Sequence, residues 1–262
     1  MRAVSRTALF TPLFALLVAA AWASLWWWDQ GPYGRYLRHG NWTDVGLLRD
    51  LCAAVPAAAP LVPGALHVAA WVLMIAAMML PTTLPLLEAF RRLTAARADR
   101  HALLARVVLG YAAVWMLFGV AVHLLDAGVH AAVERNPALA FHAWAIGAAV
   151  LALAGLYQFS ALKYRCLDQC RSPLGFITEA WRGVDARRES WRLGFRHGAF
   201  CVGCCWTLML LMFGVGSGSV GWMLALGAVM ATEKNLRWGR ALARPLGAGL
   251  LLWATAIVAQ NA

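Results

Sequence analysis

Long apolar segments separated by short polar stretches run through the whole chain. A hydrocarbon core of roughly 30 Å needs about 20 residues of helix to cross it. The pattern therefore predicts an all-α fold in which residues 1–262 form one integral membrane domain with seven transmembrane helices. We place these helices near residues 8–28, 66–87, 107–125, 143–162, 199–215, 219–232 and 243–259.

The first apolar segment resembles a signal peptide because Arg2 and Arg6 precede it, but no small-residue cleavage site follows. A cluster of tryptophans follows instead and indicates an uncleaved helix held at the interface. These tryptophans are Trp22, Trp26, Trp27 and Trp28.

The stretch from Gly198 to Thr232 contains no charged residue and is too long for a single crossing. A hairpin that turns at residues 216–219 explains its length. The two arms are short, so partial re-entry into the membrane is the alternative.

Composition agrees with a membrane protein. The chain is 62% hydrophobic and 13% charged, which is more apolar surface than a soluble domain of 262 residues buries. Its net charge of +11 raises the possibility of a nucleic-acid partner. Because the basic residues fall in short loops between apolar segments, without a basic helix, we expect anionic lipid headgroups as the partner and no nucleic acid.

The basic residues also predict an orientation. If the N-terminus is cytoplasmic, all but four of the 23 Lys and Arg residues lie on the cytoplasmic side. The four exceptions are Arg35, Arg38, Arg49 and Arg135. This bias predicts a multi-pass protein of the bacterial inner membrane with the N-terminus inside and the C-terminus outside.

Residues 163–197 form the longest inner stretch between predicted spans. Ser172 and Pro173 can start a helix there, and aromatic residues alternate with arginines. We interpret the stretch as a basic amphipathic cytoplasmic loop on the inner leaflet, with a solvated loop as the alternative. The residues are Phe176, Ile177, Trp181, Val184, Trp191 and Phe195, with Arg182, Arg187, Arg188 and Arg192.

Five of the six cysteines fall within 40 residues, in two groups at predicted helix ends. The spacings i, i+4 and i, i+3, i+4 place each group on one helical face, and both groups lie on the predicted cytoplasmic side. A reducing cytosol keeps such thiols free, which favours a soft metal ion over structural disulfides. The candidate ligands are Cys166 and Cys170, and Cys201, Cys204 and Cys205.

Further candidate ligands lie near these cysteines. Met209 follows Cys205 by four residues, and Met78 and Met79 precede Pro81 at the inner end of the second span. Glu233 follows the sixth span and could serve as a hard ligand or a proton acceptor. Thioethers favour Cu(I), whereas four sulfurs in a tetrahedron favour Zn(II). Each methionine alone is equally typical of core packing.

Imidazole groups collect on the predicted outer side. His123, Asp126 and His130 share one helical face, and these groups suit Cu(II) or Zn(II). His39, His67 and His142 are expected on the same side. Single histidines at helix ends are more often interfacial residues, which is the alternative here.

Four motifs resemble those of a bacterial family described as predicted metal-binding integral membrane proteins, and the resemblance covers roughly residues 66–240. Some members carry a copper-chaperone label, so the resemblance implies metal binding by these cysteines. The turn after the fifth span in that family tends to contain Met-Asn, where this chain has Gly218-Ser219. The motifs are Ala77-Met78-Met79-Leu80-Pro81, Leu162-Lys163-x2-Cys166-Leu167-x2-Cys170-Arg171-Ser172-Pro173, Cys201-x-Gly203-Cys204-Cys205-Trp206-x-Leu208-Met209 and Glu233-Lys234.

Three functions fit these patterns. The first is copper handling, in which Cu(I) is stored, delivered or exchanged with a copper-delivering or copper-accepting protein. The second is a membrane thiol–disulfide oxidoreductase, and the third is a structural zinc site in a protein of other function. No ATP-binding or aspartyl-phosphate motif is present, so neither a pump nor another enzyme is favoured.

Overall fold

A computed structural model describes residues 10–31, 61–214 and 220–261 of the chain, and these residues fold almost entirely into helices. The helices are α1 (Phe10–Gln30), α2 (Leu61–Met74), a π-helical stretch (Ile75–Met79), α3 (Leu80–Leu93), α4 (Arg100–Arg135), α5 (Pro137–Phe141), α6 (Ala143–Tyr157), α7 (Ala161–Arg171), α8 (Pro173–Ala180), α9 (Ala186–Gly214), α10 (Val220–Asn235) and α11 (Gly239–Asn261).

Five helical stretches of the described chain are long and apolar enough to cross a membrane, and there are six if α6 and α7 form one bent span. Helix α10 has 16 residues and is shorter than these. The all-α prediction is therefore confirmed, while the count of seven spans and their orientation stay predictions. The expected turn at 216–219, including Gly218-Ser219, lies outside the described residues. The five stretches are Phe10–Gln30, Val68–Leu93, Arg100–Arg135, Ala186–Met212 and Gly239–Asn261.

The stretch 163–197 between the predicted spans is helical over most of its length. It contains most of α7, all of α8 and the first twelve residues of α9. Helix α8 begins at Pro173, as predicted. Phe176 and Ile177 are buried in an apolar cluster with Leu86 and Phe90 of α3, so they do not face a membrane surface.

Helix α9 is the centre of the bundle and packs most extensively along α4. Glycines allow these two backbones to approach closely. A Cβ at Gly194 would overlap the Val107 carbonyl oxygen, and a Cβ at Gly110 would lie 2.6 Å from the Trp191 carbonyl oxygen. Close packing through small residues is typical of helices in membranes, where apolar contact alone does not drive association.

Two irregularities bring polar groups next to α9. Helices α6 and α7 meet at an angle of 64°, and the Ser160 side chain caps α7 by accepting a hydrogen bond from the Lys163 amide at 3.1 Å. The π-helical stretch Ile75–Met79 leads directly into α3, whose first turn contains Pro81. Because proline cannot donate a helical hydrogen bond, a break in regular helix at this point is expected.

Candidate metal centre

The two cysteine groups lie on α7 and α9, which pack against each other. The Cys170 thiol lies beside the thiols of Cys201 and Cys204. None of the five cysteines forms a disulfide. Sulfur atoms from both groups therefore meet at one contact, although they are separated by about 30 residues in sequence.

The contact depends on the absence of a side chain at Gly203. A Cβ at this position would lie 2.6 Å from the Cys166 sulfur, so only glycine lets α7 approach α9 so closely here. The Tyr157 hydroxyl donates to the Gly203 carbonyl oxygen and fixes the end of α6 against the same turn.

Burial differs among the thiols. Cys201, Cys204 and Cys205 are each 1% exposed, and Cys166 is 8% exposed. Cys170 is half-buried and is the cysteine of the five most open to the surroundings. The Cys204 and Cys205 thiols both donate to the Cys201 carbonyl oxygen, at 3.1 and 2.9 Å. Access to the buried sulfurs therefore leads past Cys170.

The position of these cysteines within α9 differs from our expectation. We placed Cys201 near the beginning of a span that starts at residue 199, but the helix begins at Ala186. The trio therefore lies in the middle of a continuous helix. No free backbone N–H groups of a helix end reach the sulfurs, so positive charge at the site must come from side chains.

Lys234 supplies that charge. Its side chain is buried, with Nζ 3.0 Å from Cys201 Sγ, 3.8 Å from Cys205 Sγ and 3.4 Å from Thr82 Oγ1. No carboxylate within the described residues pairs with it. Since a buried ammonium needs a counter-charge, the Cys201 sulfur is the group positioned to provide it.

The Glu233 carboxylate, unlike the Lys234 ammonium, pairs with another side chain and not with the sulfurs. Lys163 Nζ donates to both Glu233 carboxylate oxygens, at 2.9 and 2.8 Å, and both side chains are at most 2% exposed. Arg171 donates to the Glu233 carbonyl oxygen. These contacts tie α7 to α10, and Glu233 could act as a metal ligand only if its ion pair with Lys163 opened.

Tyr111 of α4 also reaches the site. Its hydroxyl lies 3.0 Å from Cys201 Sγ and donates to the Met79 carbonyl oxygen at 3.3 Å. The sequence analysis missed this residue and Thr82. A tyrosine inside the otherwise apolar middle of α4 was the available signal, since a buried hydroxyl needs a partner.

The three candidate methionines are buried in the same apolar cluster as the cysteines. Met78 packs against Gly227 of α10, and Met209 lies one turn beyond Cys205 on α9. The thioethers thus surround the thiols as part of the protein core.

Within residues 10–31, 61–214 and 220–261, no group of three or more His, Cys, Asp or Glu side chains has an arrangement that could hold a metal ion. The predicted outer set of His123, Asp126 and His130 has no such arrangement either. There, His130 Nδ1 lies 2.9 Å from the Asp126 carbonyl oxygen and 3.5 Å from its carboxylate. His39 and the His67 side chain lie outside the described part.

Comparison with known proteins identifies the family. No curated protein and no solved structure gives a match to this chain. A family model described as "PpoB2: Copper chaperone" matches residues 68–257, which include all five clustered cysteines, Lys163, Glu233 and Lys234. The match covers well over half of the chain, so the protein belongs to this copper chaperone family.

Proposed function

We propose that the protein binds Cu(I) at the contact between α7 and α9 and exchanges it with a partner protein. The observation that carries this proposal is the meeting of Cys170 with Cys201 and Cys204 beside the buried Lys234. Thiolates are soft ligands that select Cu(I), and the family description supports copper over other soft ions.

Charge balance supports the same metal. A monovalent copper ion held by a pair of thiolates leaves one net negative charge in a buried site. The Lys234 ammonium lies 3.0 Å from Cys201 Sγ and offsets that charge. A divalent ion would need a third thiolate to leave the same net charge beside Lys234.

The exposure of the thiols suggests the order in which they bind copper. Copper reaches Cys170 first because this thiol is half-buried, and then passes to Cys201 and Cys204. Cys166 and Cys205 complete the thiol set, and Met78, Met79 and Met209 serve as auxiliary ligands further along the core. We place this site on the cytoplasmic side of a bacterial inner membrane, following the predicted orientation.

The other two functions fit the geometry less well. A structural zinc site uses four ligands in a tetrahedron, whereas the family description names copper. A thiol–disulfide oxidoreductase could use the half-buried Cys170, but Cys201 and Cys204 are each 1% exposed and the family description names copper.

The test is Cu(I) titration of the detergent-purified protein with a chromophoric chelator, under reducing conditions. We expect stoichiometric, tight binding that is lost in a variant in which Cys170, Cys201 and Cys204 are replaced by serine. Cys52→Ser is the matched control and retains binding. Wild-type protein that binds no copper, or a triple variant that binds as well as wild type, would contradict the proposal.

A further inference from the structure

A basic cavity of about 470 Å³ lies beside the turn that joins α10 to α11. It is separate from the sulfur site and uses none of the cysteines. Its lining combines basic and aromatic side chains, contributed by α7, the turn and the first turns of α11. The lining residues are Tyr164, Arg237, Trp238, Arg240, Ala241 and Arg244.

The positive charge of this cavity is only partly compensated. Arg240 lies 3.3 Å from the Asp168 carboxylate, and its guanidinium stacks over the Tyr164 ring at 5.1 Å. Neither Arg237 nor Arg244 pairs with a carboxylate in the described part of the chain. Helix α11 also begins at this cavity, and the partial positive charge of its N-terminus adds to that of the arginines. The cavity is therefore suited to an anion.

The surroundings indicate where that anion comes from. A turn that leads into an apolar helix long enough to cross a membrane is expected at the membrane interface, and Trp238 in this turn is 60% exposed. Leu236 in the turn and Leu252 further along α11 are also exposed, at 42% and 70%. A ligand that fits both the arginines of the cavity and the exposed leucines has an anionic headgroup and apolar chains.

We infer that this cavity binds the phosphodiester headgroup of an anionic phospholipid. Arginine suits this ligand because its planar donors match phosphate oxygens. Basic pockets between membrane helices are known to bind such headgroups. The inference does not depend on copper binding.

The experiment measures binding of phosphatidylglycerol and phosphatidylcholine to the full-length protein in neutral detergent by native mass spectrometry. We expect selective binding of phosphatidylglycerol, and about twenty-fivefold weaker binding by Arg237→Gln/Arg244→Gln, since each basic residue contributes about a factor of five. The control is Arg187→Gln/Arg188→Gln, which removes two exposed arginines outside the cavity and leaves binding unchanged.

Equal losses in both double variants would show a general attraction of charges and overturn the inference. So would displacement of the lipid by inorganic phosphate at the same concentration, which would identify a site for free anions. If the double variant does not accumulate, Arg237→Gln alone decides the test, with an expected loss of about fivefold.

Discussion

Replacing Lys234 with methionine removes the one buried cation that faces the thiols while keeping a long apolar side chain. In the structure, Lys234 Nζ lies 3.0 Å from Cys201 Sγ. Lys163, the other buried lysine, already has Glu233 as its partner. A Cu(I) site made of thiolates would therefore lose its counter-charge in Lys234→Met.

The magnitude follows from the distance. Two unit charges 3.0 Å apart interact by about 5 kcal/mol at an effective dielectric constant of about 20. Desolvation cancels much of this, and hydrogen bonds to charged groups contribute roughly 1.5–3 kcal/mol net. A loss of about 2 kcal/mol weakens Cu(I) binding roughly thirtyfold.

The assay is competition for Cu(I) against a chelator, with Lys234→Arg as the matched variant that retains the charge. We expect Lys234→Arg to bind within a few-fold of wild type. Thermal unfolding should show that Lys234→Met is no less stable than wild type, because the variant leaves no buried charge unpaired. If Lys234→Met binds copper as tightly as wild type while Cys201→Ser does not, the charge-balance argument is refuted.

Two further predictions concern the packing around the site. Gly203→Ala places a methyl group 2.6 Å from Cys166 Sγ, so this thiol must shift and Cu(I) binding should fall about tenfold, at an overpacking cost of about 1–3 kcal/mol. Gly249→Ala, where a methyl group meets open space, is the control and should bind normally. Glu233→Leu leaves Lys163 unpaired and should lower the unfolding temperature by roughly 10 °C, from a loss of about 3–5 kcal/mol. Combining it with Lys163→Met should restore most of that loss, and equal stabilities of the single and double variants would contradict this.

Several features of the protein follow from local sequence. Apolar stretches of sufficient length predict helices because a helix satisfies its backbone hydrogen bonds within the one segment. The spacing of Cys201, Cys204 and Cys205 requires that they share one helical face. Proline at position 173 predicts the start of α8 because its missing N–H costs nothing there.

Other features depend on contacts between distant parts of the chain. The ion pair between Lys163 and Glu233 joins residues 70 positions apart. A pattern of neighbouring residues does not predict a contact between residues so far apart in the sequence. The early start of α9 was also missed. In the sequence its basic residues favour a segment outside the span. In the structure, Arg187 and Arg188 are exposed on the helix surface while Leu193 is buried. Long basic side chains are compatible with helix when their charged ends reach water.

The adjacent residues Glu233 and Lys234 explain how one helix can serve two purposes. Successive residues of a helix point about 100° apart, so the carboxylate faces Lys163 on α7 while the ammonium faces Cys201 on α9. The first contact fixes α10 against α7 whether or not metal is present. The second depends on the negative charge of the Cys201 sulfur, which the Cu(I) site proposed above would keep. Removing the metal and protonating the thiols would leave Lys234 without a partner, so spontaneous loss of copper is opposed. We therefore expect an acceptor that offers its own thiolates to accelerate copper release more than a fall in free copper does, which stopped-flow transfer to a dithiol peptide would measure.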